Sequence, residues 1–159
     1  MAIYTATVDW RLDDGDDFAA GRYSRAHRLT FDHGVTLAGT ASPHIVPEPW
    51  SDPKGVDPEE AFVAALSACH MLWFLHLAQR AGFVVASYRD AAEGVMQKNA
   101  AGKLAMTKVE LKPYIVFKGN QPSPEAALDL HHRAHDECFI ANSVTTEVVI
   151  TPQAALTDA

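Results

Sequence analysis

Two cysteines, Cys69 and Cys138, are the residues of this chain best suited to nucleophilic chemistry. A thiol attacks as its thiolate, so each position is judged by what would hold a negative sulfur there. Cys69 falls in the middle of an apolar run from Ala61 to Ala78. If that run is a helix, Cys69 lies several turns from the positive N-terminal end, and burial works against the charged form. A cation must come from elsewhere. Arg11, Arg22, Arg25 and Arg28 are the candidates, three of them in the segment Gly21-Arg-Tyr-Ser-Arg-Ala-His-Arg28, and arginine keeps its charge when desolvated. Cys138 sits near the end of a second helix, where the dipole is negative, which makes it the weaker nucleophile.

Each of these residues also has a plainer explanation. A cysteine on an apolar helix is more often a small core residue than a catalyst. Glu59 and Glu60 are first-turn acids of the kind the helix dipole favours, and the arginines could be exposed strand charges. A metal site is the rival chemistry: His131, His135 and Cys138 fall at i, i+4 and i+7 on one helical face, but no convincing fourth ligand accompanies them. Neither a bound metal nor a cofactor is expected. His70 follows Cys69 directly, yet neighbours on a helix point about 100° apart, so His70 is expected to pack rather than to activate the thiol.

The elements that must position these residues are legible in outline. Residues 3–10 alternate with the period of a strand. Tyr23 to Phe31 and Val35 to Ala41 flank the turn Asp32-His-Gly34, which completes an antiparallel meander. From Pro43 to Pro58 five prolines exclude helix and central strand. Asp57, Pro58 and Glu60 then form a capping-box start for a helix running to about Ala81 and closed by Gly82. Its apolar residues cover it nearly all round, the pattern of a helix buried on most sides. Phe83 to Met96 and Leu104 to Phe117 predict a hairpin around residues 98–103, with Pro113 at a bend or edge. Ser123 and Pro124 start a second helix ending near Cys138, and Val144 to Ile150 closes as a strand. The tail from Thr151 to Ala159 is expected to fray. Runs of strands between two helices give an α+β fold.

The whole chain, 159 residues and 48% hydrophobic, is the size of one domain, 1–159. A net charge of -7 with unclustered Lys and Arg argues against nucleic acid as a partner. The N-terminus has no basic start followed by an apolar core, so no export signal is expected. The apolar run at Ala61 to Ala78 contains Ser67, Cys69, His70 and His76 and begins beside two glutamates, which favours a core helix over a membrane span. Two distant cysteines form no framework of the secreted kind, so a cytoplasmic setting is expected and any pairing would be transient.

The run Asp57-Pro-Glu-Glu-Ala-Phe-Val-Ala-Ala-Leu-Ser-Ala-Cys69 resembles the glutamate-to-cysteine signature of the OsmC/Ohr superfamily. Ala134-His-Asp-Glu-Cys-Phe-Ile-Ala-Asn-Ser143 is similar to the segment carrying that family's other cysteine, and Gly21-Arg22 resembles an early Gly-Gly-Arg. Asp57 stands in place of Asn, Phe139 in place of Pro, and the proline-rich loop in place of a short glycine-rich one. The resemblance implies antiparallel sheets wrapped around two central helices in an intertwined homodimer. It also implies a thiol peroxidase of the oxidative stress response: Cys69 attacks an organic hydroperoxide, Cys138 resolves the sulfenic acid as a disulfide, Arg22 (or Arg25) stabilises charge, and Glu59 (or Glu60) orients the arginine. A dithiol, such as that of a lipoylated protein, would recycle the enzyme. Ten residues of straight helix span about 15 Å, so Glu59 and Cys69 share one bridging arginine only if the helix breaks or an extended arginine spans the gap; the intertwined dimer that the resemblance implies would let Arg22 come from the other chain. Met71, Trp73, Phe74 and Trp50 are expected around the substrate. The alternative from another class is a non-catalytic dimer that binds a hydrophobic ligand or partner.

Overall fold

A computed structural model describes residues 1–153, which divide into two compact units, Met1–Ala61 and Phe62 onward. In the first unit, strands β1 (Ala6–Asp9), β2 (His27–Phe31) and β3 (Thr36–Gly39) form an antiparallel sheet in the order β1-β2-β3. The turn at Asp32–Gly34 places His33 at φ 64°, a conformation reached at little cost only by Gly and small polar residues. The first strand is shorter than its alternation predicts. All four of its side chains are exposed within the chain.

The proline-rich loop has no helix or strand of its own and is tied down by polar contacts. Val56 N–H donates to the Ala38 carbonyl (2.9 Å), and Asp52 N–H donates to the buried Thr40 hydroxyl (2.9 Å). The loop ends in helix α1 (Pro58–Arg80), started as expected by a capping box. Glu60 N–H donates to Asp57 Oδ1 (2.8 Å) and Asp57 N–H to Glu60 Oε2 (3.3 Å), which satisfies two backbone donors that a helix start leaves open. At the other end Gly82, with φ +83°, supplies the left-handed residue that closes the helix.

The second unit contains the rest of α1, strands β4 (Val84–Asp90), β5 (Glu93–Lys98), β6 (Leu104–Leu111) and β7 (Pro113–Lys118), helix α2 (Pro124–Glu137) and strand β8 (Glu147–Ile150). The predicted hairpin is there as β5–β6, but its two long runs are each broken. Breaks at Ala91–Ala92 and at Lys112 give four strands, and β4 pairs with β7 in a sheet separate from β5-β6-β8. Asp90 holds the double break, because its carboxylate accepts both Lys112 N–H (2.6 Å) and the Ser67 hydroxyl of α1 (2.6 Å). Strand β8 runs parallel to β6, which no local pattern announced. Thr151 and Gln153 extend this order by donating to the Leu111 and Pro113 carbonyls (both 2.8 Å), so the start of the expected frayed tail is paired; residues 154–159 lie outside the described residues.

Within the chain α1 buries one face only, against the expectation of burial on most sides. Leu66, His70, Phe74, Leu77 and Ala78 are covered, whereas Ala65, Ala68, Leu72 and His76 are exposed. The buried face serves two cores in turn. Leu66 packs with Val109 and Leu111 of β6, flanked by Ile140, Ala141 and Val148. Phe74, Leu77 and Ala78 pack with Leu130 and Ala134 of α2, flanked by residues of β4 and β7. Length and composition alone would let α1 cross a membrane; its buried face instead behaves as that of a core helix. Gly94 of β5 lets α1 approach, since a Cβ there would come within 2.6 Å of the Val63 side chain.

Asp57→Ala removes one side of the capping box and should lower stability by about 1 kcal/mol, measured by urea denaturation. The helix content of the folded protein should not change.

Candidate active site

The second unit brings Cys69 and Cys138 together. Cys69 lies on α1 at the passage from one core to the other, between Leu66 and Phe74. Cys138 caps the C-terminus of α2 in extended conformation (φ -66°, ψ 109°), its N–H donating to the His135 carbonyl (3.1 Å), and the chain then carries Ile140 and Ala141 into the core of Leu66. Both cysteines therefore occupy one seam, although 69 positions separate them. They are free thiols, near enough for Cys69 to act on the Cys138 thiol.

Their surroundings differ in the way a nucleophile and its partner require. Cys138 is 1% exposed, and burial, followed by the hydrogen bond with Cys69, pushes its thiol up to about 11; the Ala141 N–H, 3.5 Å from its sulfur, works the other way. Cys138 is thus a neutral thiol at pH 7. Cys69 is only half-buried and faces a pocket of about 300 Å³ lined by Leu72, Trp73, His76 and Phe139. Trp73 stands edge-on to both His76 and Phe139, with ring centroids 5.7 and 5.4 Å apart.

This lining differs from the expected one. Of the residues named from sequence only Trp73 lines the pocket; Phe74 turns into the core, because it lies 100° further round the helix. Phe139 becomes a wall through its position after the helix-capping Cys138. The sequence signal for it was the departure from proline at that place.

Arg22, Arg25 and Glu59 lie in the first unit. Arg22 is largely exposed and pairs with Asp17 (2.7 Å). Arg25 lies 3.6 Å over the ring of Tyr23 and donates to the Gly21 carbonyl (3.0 Å). Glu60 is engaged by the capping box, while Glu59, among the described residues, makes no hydrogen bond or ion pair. The helix from Pro58 to Arg80 is unbroken, so no break brings Glu59 to Cys69.

The proposed histidine and cysteine metal set does not form. Among the described residues no group of His, Cys, Asp and Glu is arranged to hold an ion. Cys138 has left the helical geometry that the i, i+4, i+7 spacing assumes, and His131 turns to another histidine instead. His131 Nδ1 lies 3.0 Å from His70 Nε2, the two rings nearly parallel, and both residues are fully buried. Burial holds His70 down to about 3 and His131 to about 4, with neighbouring histidines adding to the effect, so both are neutral at pH 7. His70 was expected to pack; its hydrogen bond to His131 was missed, although both stand at core positions of their helices.

A family model described as OsmC-like protein matches residues 51–153, well over half the chain. Among solved structures, an OsmC-like protein of unknown function from Vibrio cholerae is 49% identical, with 96% of this chain and 100% of that one covered and a TM-score of 0.94. An organic hydroperoxide resistance protein from Elizabethkingia anophelis is 20% identical over 96% of each chain, with a TM-score of 0.71. One from Bacillus subtilis is 17% identical over 96% of this chain and 98% of that one, with a TM-score of 0.66. At these lower identities the likeness is one of fold. A search of the curated proteins finds no match.

Because the native state keeps His70 and His131 neutral while the unfolded chain protonates them near pH 6.5, stability should fall as pH drops from 6.5 towards 4. The slope should approach about 1.4 kcal/mol per pH unit for each histidine. Urea denaturation at pH 7, 6 and 5 should show this fall, and a His70→Leu/His131→Leu double variant should show a shallower one.

Proposed function

Since the chain belongs to the OsmC/Ohr family, a membership carried by the family match and the 49% identical relative, we propose that it is a thiol peroxidase for organic hydroperoxides. The observation that carries this is the nearness of Cys138 to Cys69 at the edge of an apolar pocket. A half-buried sulfur open to an apolar cavity is placed to meet the peroxide of an organic molecule, and a buried, neutral thiol lies near it.

In the reaction, the Cys69 thiolate attacks the terminal oxygen of R–O–O–H and the O–O bond breaks. The alkoxide leaves, takes a proton and departs as the alcohol, while Cys69 becomes sulfenic acid. Cys138 then attacks the sulfenic sulfur; its proton goes with the departing hydroxide as water, and a Cys69–Cys138 disulfide remains. A dithiol reductant, such as the lipoyl group of a lipoylated protein, restores both thiols in a cytoplasmic setting. No metal or cofactor takes part.

Arg22 stabilises the thiolate and the leaving oxyanion, and Glu59 orients it. The exposed pair with Asp17 is weak enough to give up, and Glu59 is the acid of the two not engaged in capping. Because α1 is continuous, the arginine reaches along it from the partner chain of a homodimer. The uncovered apolar stripe of Ala65, Ala68 and Leu72 on α1 favours such an assembly, and light scattering should return twice the chain mass.

The second reading, a dimer that binds a hydrophobic ligand without catalysis, draws on the same apolar pocket. Mixing reduced protein with cumene hydroperoxide and with hydrogen peroxide separates the two. The peroxidase should consume the organic peroxide faster and form one disulfide per chain. Cys69→Ser should abolish turnover, Cys138→Ser should accumulate a trappable sulfenic acid, and Arg22→Ala should slow the first step about a hundredfold. Thiols that react no faster than free cysteine would leave the binding protein as the function.

A further inference from the structure

Two helices packed through Phe74, Leu77, Ala78, Leu130 and Ala134 have little in that contact to set their height along one another, because apolar contacts are not directional. A buried hydrogen bond does set it, since sliding leaves both partners unpaired in a dry interior. The His70–His131 bond is the only side-chain hydrogen bond joining α1 to α2 among the described residues. It is also costly to keep. His70 Nδ1 is buried without a partner, where an apolar pair would leave no such atom.

The bond lies close to both sulfurs in chain terms. His70 follows Cys69 directly, and His131 precedes Cys138 by seven residues, two turns of α2 or about 10 Å. His70 shares α1 with Cys69, and His131 lies on α2, whose last residue Glu137 precedes the capping Cys138, so the height fixed at the imidazoles is passed to the thiols. Phe74 stacks on His131 at 4.4 Å between ring centroids and limits how far that ring can turn.

We propose that His70 and His131 are a positioning pair for disulfide formation: their hydrogen bond holds α1 and α2 at the height where the Cys138 thiol lies near the Cys69 sulfur. The pair touches no peroxide and moves no proton in the first step. Its effect falls on the second, in which the Cys138 sulfur bonds to the Cys69 sulfur and water leaves. That assignment of steps rests on the peroxidase function proposed above; the effect on the stability of the disulfide does not.

The test compares wild type with His131→Leu, which breaks the bond, and with His131→Asn and His70→Gln, which keep a polar nitrogen or oxygen near Nδ1 and Nε2. Sulfenic acid formation with cumene hydroperoxide should stay within about twofold of wild type in every variant. Closure of the disulfide in His131→Leu should slow about tenfold or more. His131→Asn and His70→Gln should recover most of that loss, and should be used alone if His131→Leu does not fold. A second arm needs no peroxide: equilibration with dithiothreitol buffers should show the disulfide of His131→Leu about tenfold easier to reduce, about 30 mV in potential.

Closure and potential unchanged in His131→Leu overturn the proposal, as do losses that affect both steps equally and follow melting temperature alone. Should the wild-type thiols ignore peroxide while the potential still shifts in His131→Leu and returns in His131→Asn, the peroxidase function fails and the positioning pair stands.

Discussion

One helix in the second unit has to serve two hydrophobic cores, and the properties of the cysteines depend on where it passes from one to the other. Up to Leu66 the buried face of α1 belongs to the sheet β5-β6-β8; from Phe74 it belongs to α2 and the sheet β4-β7. Between them the buried face of the helix is taken by His70. Cys69, beside it, is small, half-buried and open to a pocket on its other side. The end of α2 meets the same constraint from the opposite direction, because the chain after Cys138 must leave one core and enter the other. Two cysteines brought near one another are a consequence of that shared crossing.

Burial then divides the labour. Both residues are chemically the same thiol, but water reaches one and not the other, and a charge in the drier position is the more expensive. Cys138 is held neutral. The same dryness governs the histidines beneath. Paired and neutral, they hold a polar bond inside an apolar contact, a specific arrangement that excludes sliding.

The pocket shows how a departure from a family pattern acquires physical meaning. Phe139 stands where the resemblance places proline, and its ring closes one side of the cavity against Trp73. A proline would fix the backbone at that corner; phenylalanine leaves it to the hydrogen bonds that Asn142 makes to the Asp136 and Cys138 carbonyls. What is lost in backbone rigidity is replaced by side-chain surface facing the pocket.

Much was determined by sequence alone, wherever the cause lies within a few residues. The capping box at Asp57 and Glu60, the stop at Gly82, the start of α2 at Ser123 and the turn at Asp32 to Gly34 are local hydrogen-bond and torsion effects. The two cysteine motifs are contiguous runs, so the family and its α+β fold could also be named from them. Other features were decided only by the tertiary structure: the splitting of one hairpin into two sheets, the parallel pairing of β8 with β6, the one-sided burial of α1, the pocket wall at Phe139 and the His70–His131 bond. Each of these joins segments far apart in the chain, and an apolar or polar residue type says that burial or a partner is needed without saying which distant surface supplies it.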